Sequence, residues 1–154
     1  MAFYSVSSDS FLGFTIDLSS TGVISRTFEM RLNADYDYPI TIDWGDGTVS
    51  VYEHKYGDSS PSHTYASGTN VFDIVVTSPL GRLPAPFAWA SDSSSSAQAI
   101  IDIWNATFVQ GSDYVTALCS RMKNLERFDL RYFGINAHVS WSLFFVYCDK
   151  LVID

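Results

Sequence analysis

Asp43, Asp46, Glu53 and Asp58 gather in one stretch of the chain and are the first candidates for chemistry. Hard cations such as Ca2+ take carboxylate oxygens, so this group could hold calcium, although it lacks the dense acidic pattern of an EF-hand loop. The competing account is turn capping. Asp43 and Asp46 alternate with Gly45 and Gly47 around Trp44, and short acidic side chains in turns accept bonds from amides two residues on. The same two aspartates could act as the carboxylate pair of a glycosidase, but that needs a set separation and a cleft. His54 and His63 stand apart from His138 and from both cysteines, whereas zinc wants four ligands at close spacing. His63 is expected instead to bond across the turn. Cys119 and Cys148 are too few for a disulfide framework and are expected as buried thiols. Neither has an adjacent base to make it a nucleophile. The chain contains no G-x-S-x-G elbow, P-loop or H-E-x-x-H motif. These residues predict a protein that is not an enzyme and has no cofactor, with calcium as the one ion the carboxylates could accommodate.

Composition narrows the class further. The chain has 154 residues, 47% hydrophobic and 16% aromatic, enough for one core of ordinary size. Seventeen acidic side chains against nine Lys and Arg leave a net charge of −8. No basic stripe is present, so nucleic-acid binding by phosphate neutralisation is excluded. No segment approaches the ~18 apolar residues of a membrane span. The first residues carry no basic region followed by an apolar one, so a secretory signal is not expected and folding in the cytosol is. The aromatic excess is the informative surplus, because Tyr and Trp favour interfaces. Tyr36, Tyr38, Tyr52 and Tyr56 lie in or beside turn-rich segments and are the candidate contacts for a protein or a glycan.

The elements that must carry these residues follow from periodicity. Phe14, Ile16 and Leu18 alternate with Thr15 and Asp17, and Phe28, Met30 and Leu32 with Glu29 and Arg31. Such alternation predicts half-buried strands over 11–18 and 27–32. Ile40, Ile42 and Trp44 predict a third strand, running into the Gly45-Asp46-Gly47 turn and returning over Thr48–Tyr52. Residues 70–76 are apolar on both faces, which predicts cover on both faces. Residues 1–78 therefore read as an antiparallel β-sandwich. Residues 79–98 hold Pro84, Pro86 and a serine run, and read as a linker or loop. Residues 99–154 read as a smaller α+β segment packed beside the sandwich, with strands over 99–104 and 125–130, a short helix over 113–122, an undecided apolar stretch at 141–147 and a last strand at 151–154. Met122-Lys123-Asn124-Leu125 resembles Cys148-Asp149-Lys150-Leu151 at an offset of 26 residues, the period of leucine-rich repeats.

Asp43-Trp44-Gly45-Asp46-Gly47-Thr48, followed by His63-Thr64-Tyr65 and Gly68-Thr69, resembles the PKD family. The resemblance implies an immunoglobulin-like β-sandwich in which Asp43, Trp44, Gly45, Asp46 and Gly47 form a structural turn. The wider order of Phe14–Asp17, the turn, Ile101-Asp102-Ile103-Trp104 and Cys148–Leu151 is similar to BspA-type leucine-rich-repeat proteins. Proteins of that kind occur as bacterial surface adhesins and as phage virion components. The resemblance thus implies a non-enzymatic virion protein (capsid decoration, neck or tail accessory) assembled in the host cytoplasm. Its partners would be other virion proteins or copies of itself, and neither nucleic acid nor membrane. The alternative it implies is an adhesin module on a bacterial surface, binding carbohydrate or a host-surface glycan.

Overall fold

The computed structural model describes residues 10–30, 39–53, 60–77, 95–106, 119, 121–129, 145 and 147–152. The chain is mainly β. Among the described residues the strands are β1 (Ser10–Asp17), β2 (Thr27–Glu29), β3 (Ile40–Asp43), β4 (Val49–Tyr52), β5 (Ser62–Thr64), β6 (Val71–Thr77), β7 (Ile100–Ala106) and β8 (Arg127–Phe128), with one helix, α1 (Ser95–Ala99), before β7. Six strands make one mixed sheet in the order β4-β3-β6-β1-β7-β8, and β2 pairs with β5 in a second, two-stranded sheet.

Alternation decides which face each strand buries. Phe14 and Ile16 of β1, Ile40 and Ile42 of β3, and Ile74 and Val76 of β6 are buried on one face of the large sheet. Phe28 and Met30 of the second layer are buried against them. The rings of Phe14 and Phe28 meet across the layers with centroids 5.8 Å apart. Backbone bonds extend the small sheet beyond its strands, from Met30 N to Pro61 O at 2.8 Å and from Tyr65 N to Arg26 O at 3.0 Å.

β1 lies at the centre. It is antiparallel to β6 on one side and to β7 on the other. The sheet is therefore continuous across the expected boundary between 78 and 99: residues 100–106 lengthen the sheet that 10–77 begin. A close approach makes this possible. A Cβ at Gly13 would come within 2.2 Å of the Trp104 ring, so the β7 tryptophan approaches β1 where only glycine leaves room.

Several expectations need correction. Residues 70–76 were expected to be covered on both faces, but Val71 is 50% exposed and Val75 only half-buried. The outward valines lie opposite Asp17, Gly13 and Asp43, so the second face is a mixed surface and not a second core. Ser95 and Ser96 belong to α1 and not to a polar linker. Ser96 is buried, and its hydroxyl accepts from Glu29 N at 2.8 Å. Ala99 closes the helix, so the following strand starts at Ile100. The strand expected over 125–130 is two residues long, Arg127–Phe128, and runs parallel to β7. Residues 113–118, and most of 141–147, lie outside the described residues.

The offset of 26 has a backbone counterpart. Met122 N donates to Cys119 O and Leu125 N to Met122 O; 26 residues on, Cys148 N donates to Phe145 O and Leu151 N to Cys148 O. Arg121 and Tyr147, again 26 apart, both take positive φ, 67° and 63°. Glu126 N donates to Ile101 O, and Val152 N to Glu126 O. Asn124 Nδ2 donates to Gln98 O across the same interval of 26. Three successive turns of chain thus stack as parallel rungs at the β8 end of the sheet.

The Gly13 contact yields a test. Gly13→Ala is expected to displace Trp104 and destabilise the protein by about 1–3 kcal/mol, the usual cost of overpacking. A lowered midpoint in a urea titration followed by far-UV circular dichroism, with an unchanged slope, would register it.

Candidate functional site

The Gly45-Asp46-Gly47 turn is built by the residues that first suggested chemistry. β3 ends at Asp43, and Trp44 N donates to Thr48 O at 3.0 Å to close the loop. Gly45 and Gly47 both take left-handed φ, 80° and 90°, as this reversal requires. A side chain at Gly45 would also collide with the backbone of Asp73 on β6. Asp43 Oδ1 accepts from Gly45 N and Asp46 Oδ1 from Thr48 N, each at 3.0 Å. Both carboxylates are thereby engaged in shaping the turn.

The remaining contacts tie this turn to the second layer. Asp46 Oδ2 meets His63 Nε2 at 2.7 Å. The His63 ring stacks on Trp44 with centroids 5.2 Å apart, and meets Tyr65 edge-on at 4.6 Å. Tyr65 stacks on Phe72 of β6 at 4.1 Å. The Tyr65 hydroxyl donates to Trp44 O at 2.9 Å in a buried position. Trp44 is 1% exposed, and its indole Nε1 donates to Ser50 Oγ at 3.0 Å. Trp44, Asp46, His63 and Tyr65 are thus one cluster spanning both sheets.

The electrostatics fit a closed structural cluster. Burial pushes the Tyr65 hydroxyl pKa up, with Asp46 and Asp43 adding to the effect, so Tyr65 remains a neutral donor. Desolvation is the largest single influence on Asp46 and raises it, but the bonds from His63 and Thr48 and the His63 charge together outweigh it and hold its carboxyl below the ordinary value. Among the described residues, no group of three or more His, Cys, Asp or Glu is placed to hold a metal. Asp43 Oδ1 and both Asp46 oxygens are engaged by amides and by His63. Glu53 is exposed at the end of β4, and Asp58 and His54 lie outside the described residues.

The candidate contact tyrosines separate. Tyr52 is half-buried on β4, packed against the core with its hydroxyl buried. Tyr36, Tyr38 and Tyr56 lie outside the described residues. The exposed apolar surface near Tyr52 belongs to its neighbours: Val49 is 57% exposed and Val51 68%. Both sit on β4, the edge strand of the large sheet, which among the described residues pairs only with β3. Val49 lies opposite Asp43 and Val51 opposite Thr41. With Val75 beside Asp43 and Trp104 over Gly13, they form the outward face of the sheet. Asp43, Asp46 and Glu53 border this edge.

Sequence reasoning missed two residues that organise the region. Arg26 spreads its guanidinium over the turn after β5, donating to Tyr65 O at 3.2 Å, Asn70 Oδ1 and Thr69 O at 2.7 Å, and Ala66 O. Its place before a short strand gave no periodic signal; only the folded turn makes the carbonyls converge. Gln98 donates to Arg121 O at 2.8 Å and accepts through its own carbonyl from Asn124, which also donates to Thr21 O. The 26-residue spacing of Gln98 and Asn124 was a legible clue, hidden because the serine run before it looked like a linker. Cys119 and Cys148 are free thiols, and Cys148 Sγ donates to Cys119 O at 2.7 Å. Burial raises both pKa values, Cys148 to about 11 and Cys119 well above its ordinary value, so neither is an activated nucleophile.

No family model, curated protein or solved structure matches this chain. Among the described residues, no helix is long and apolar enough to cross a membrane.

Two measurements test the cluster. Tyr65→Phe removes the donor to a buried carbonyl and is expected to cost about 1–3 kcal/mol by urea denaturation. Asp46 has a depressed pKa in the folded state, so its contribution is present above the ordinary carboxylate range and lost as pH falls through the folded value. The stability difference between wild type and Asp46→Asn is therefore expected to be full near neutrality and to close below about pH 4. A difference that stays constant across that range would contradict the Asp46–His63 assignment.

Proposed function

We propose that this chain is a non-enzymatic structural protein of a phage virion, a capsid decoration, neck or tail accessory, that works through protein–protein contacts. On this reading the two β layers form an immunoglobulin-like, PKD-like sandwich, and the stacked rungs are leucine-rich-repeat-like units continuous with it. The protein is made in the host cytoplasm and ends in the particle.

The observation that carries the reading is the exposed Val49 and Val51 on the β4 edge. Exposed β-branched residues on a sheet edge are an association hazard unless something covers them. A neighbouring subunit adding an extended segment there would pair with the edge backbone and cover both valines. The carboxylates around the edge favour a partner segment carrying Lys or Arg over a second acidic edge. The aspartates that might have done chemistry are instead held in turn bonds and in the His63 contact, which supports assembly over catalysis.

Mass spectrometry of purified particles is expected to find the chain at a fixed stoichiometry. Its absence from particles would overturn the virion reading. Val51→Lys, on an exposed position, is expected to leave the melting temperature unchanged while particles purified with this variant lose the protein. Full incorporation of Val51→Lys would show that the β4 edge is not the contact.

A further inference from the structure

The chain has two cysteines, and the fold brings them to one place. Cys119 opens the turn that Met122 N closes on its carbonyl. Cys148 lies 29 positions on, in the next rung, and its Sγ donates to Cys119 O at 2.7 Å. The Met122 backbone also bonds the Cys148 sulfur. The sulfur of one rung thus enters the mouth of the turn in the rung before it. By standard C=O and Cα–C lengths it lies no more than about 5.5 Å from Cys119 Cα. Paired strands lie about 4.8 Å apart, inside the Cα separation of about 4.4–6.8 Å that a disulfide spans.

Packing does not ask for cysteine at either place. The 26-residue repeat of backbone bonds puts Phe145 at the position of Cys119, and Met122 at that of Cys148. The same backbone therefore accepts Phe and Met there, both larger than cysteine. What sets the two cysteines apart is their contact with each other across the rungs.

Exposure sets an order of reaction. Cys119 is fully buried, while Cys148 is only partly so. A soluble oxidant meets Cys148 first, and Cys119 stands behind it as the resolving thiol. Burial raises both pKa values, so attack is slow. The same property makes both sulfurs poor leaving groups, so a disulfide between them is slow to be reduced.

We propose that Cys119 and Cys148 are a redox modification site, which a low-molecular-weight disulfide converts into an internal disulfide tying the later rung to the one before it. The Cys148 thiolate attacks one sulfur of the oxidant, forming a mixed disulfide and expelling one thiolate. The Cys119 thiolate then attacks Cys148 Sγ, forming the protein disulfide and expelling the second thiolate. The two cysteine protons end on the two released thiols. Two protein thiols are oxidised and one small disulfide is reduced. In the thiol state the described contacts of the later rung include Val152 N to Glu126 O, the Cys148 bond, and Phe145 edge-on to Phe128 at 5.4 Å. The disulfide adds a covalent closure to these. The site does not rest on the virion reading.

The full chain, reduced and then incubated with glutathione disulfide well below its melting temperature, tests this. Intact mass spectrometry is expected to show the loss of two hydrogens and no adduct, and a thiol assay in denaturant to fall from two thiols to none. The melting temperature is expected to rise by about 5–10 °C, since the bond closes a long loop. Cys119→Ala is expected to stop at the mixed disulfide and to gain the mass of one glutathione. Cys148→Ser is expected to gain none and to melt alike with and without oxidant. The wild-type and Cys148→Ser arms decide the matter if Cys119→Ala fails to fold. Two thiols that persist in the folded wild type overturn the proposal. So does a wild type that stops at the glutathione adduct, a bond between two chains on a non-reducing gel, a disulfide that leaves the melting temperature unchanged, or a rise that survives Cys148→Ser.

Discussion

The bond from the buried Tyr65 hydroxyl to the Trp44 carbonyl holds the two layers of this protein in register. It joins the residue after β5 to the residue after β3, which belong to different sheets. The stack of Trp44, His63, Tyr65 and Phe72 surrounds it and excludes water. A hydrogen bond in such a place gains from the low local polarity, and its loss leaves a buried carbonyl without its donor. The rest of the turn follows from this constraint. Gly45 must be glycine because the chain passes close to Asp73, and Asp46 must reach His63 because the imidazole is fixed between two rings.

The large sheet grows from that anchored corner in both directions along the hydrogen-bonding axis. β1 is the hinge of the arrangement, because it pairs with β6 on one side and β7 on the other. The antiparallel side ends at β4. On the parallel side, the last described rung is that of Val152, whose chain bridges to Arg127. An open sheet must end somewhere, and each end offers backbone groups and side chains for pairing. Among the described residues, Val49 and Val51 are exposed at one end and Val152 at the other.

The polar groups of the turn are engaged by the same physics. Two aspartates, a histidine and a tyrosine within bonding distance can resemble a catalytic constellation. Each polar group, however, already has a partner that fixes backbone geometry: Gly45 N, Thr48 N, His63 Nε2 and Trp44 O. Such groups hold the turn in shape.

Much of this was legible in the chain by itself. Period-2 alternation placed β1, β2, β3 and β6 to within a few residues, because a half-buried strand must alternate whatever packs against it. The Gly-Asp-Gly turn was legible because positive φ is a local requirement. The spacing of Met122 and Cys148 exposed a repeat, since stacked rungs demand like residues at like positions. Tertiary structure alone decided the rest. It inserted 100–106 beside β1, removing the expected boundary, because strand pairing joins residues that sequence separates. It turned Ser96, at the end of the serine run, into a buried cap on β2, because burial depends on what lies opposite. It also gave the Asp43 and Asp46 carboxylates to the turn and left Val49, Val51, Tyr147 and Val152 outside, since exposure belongs to the assembled layers and not to any one stretch of chain.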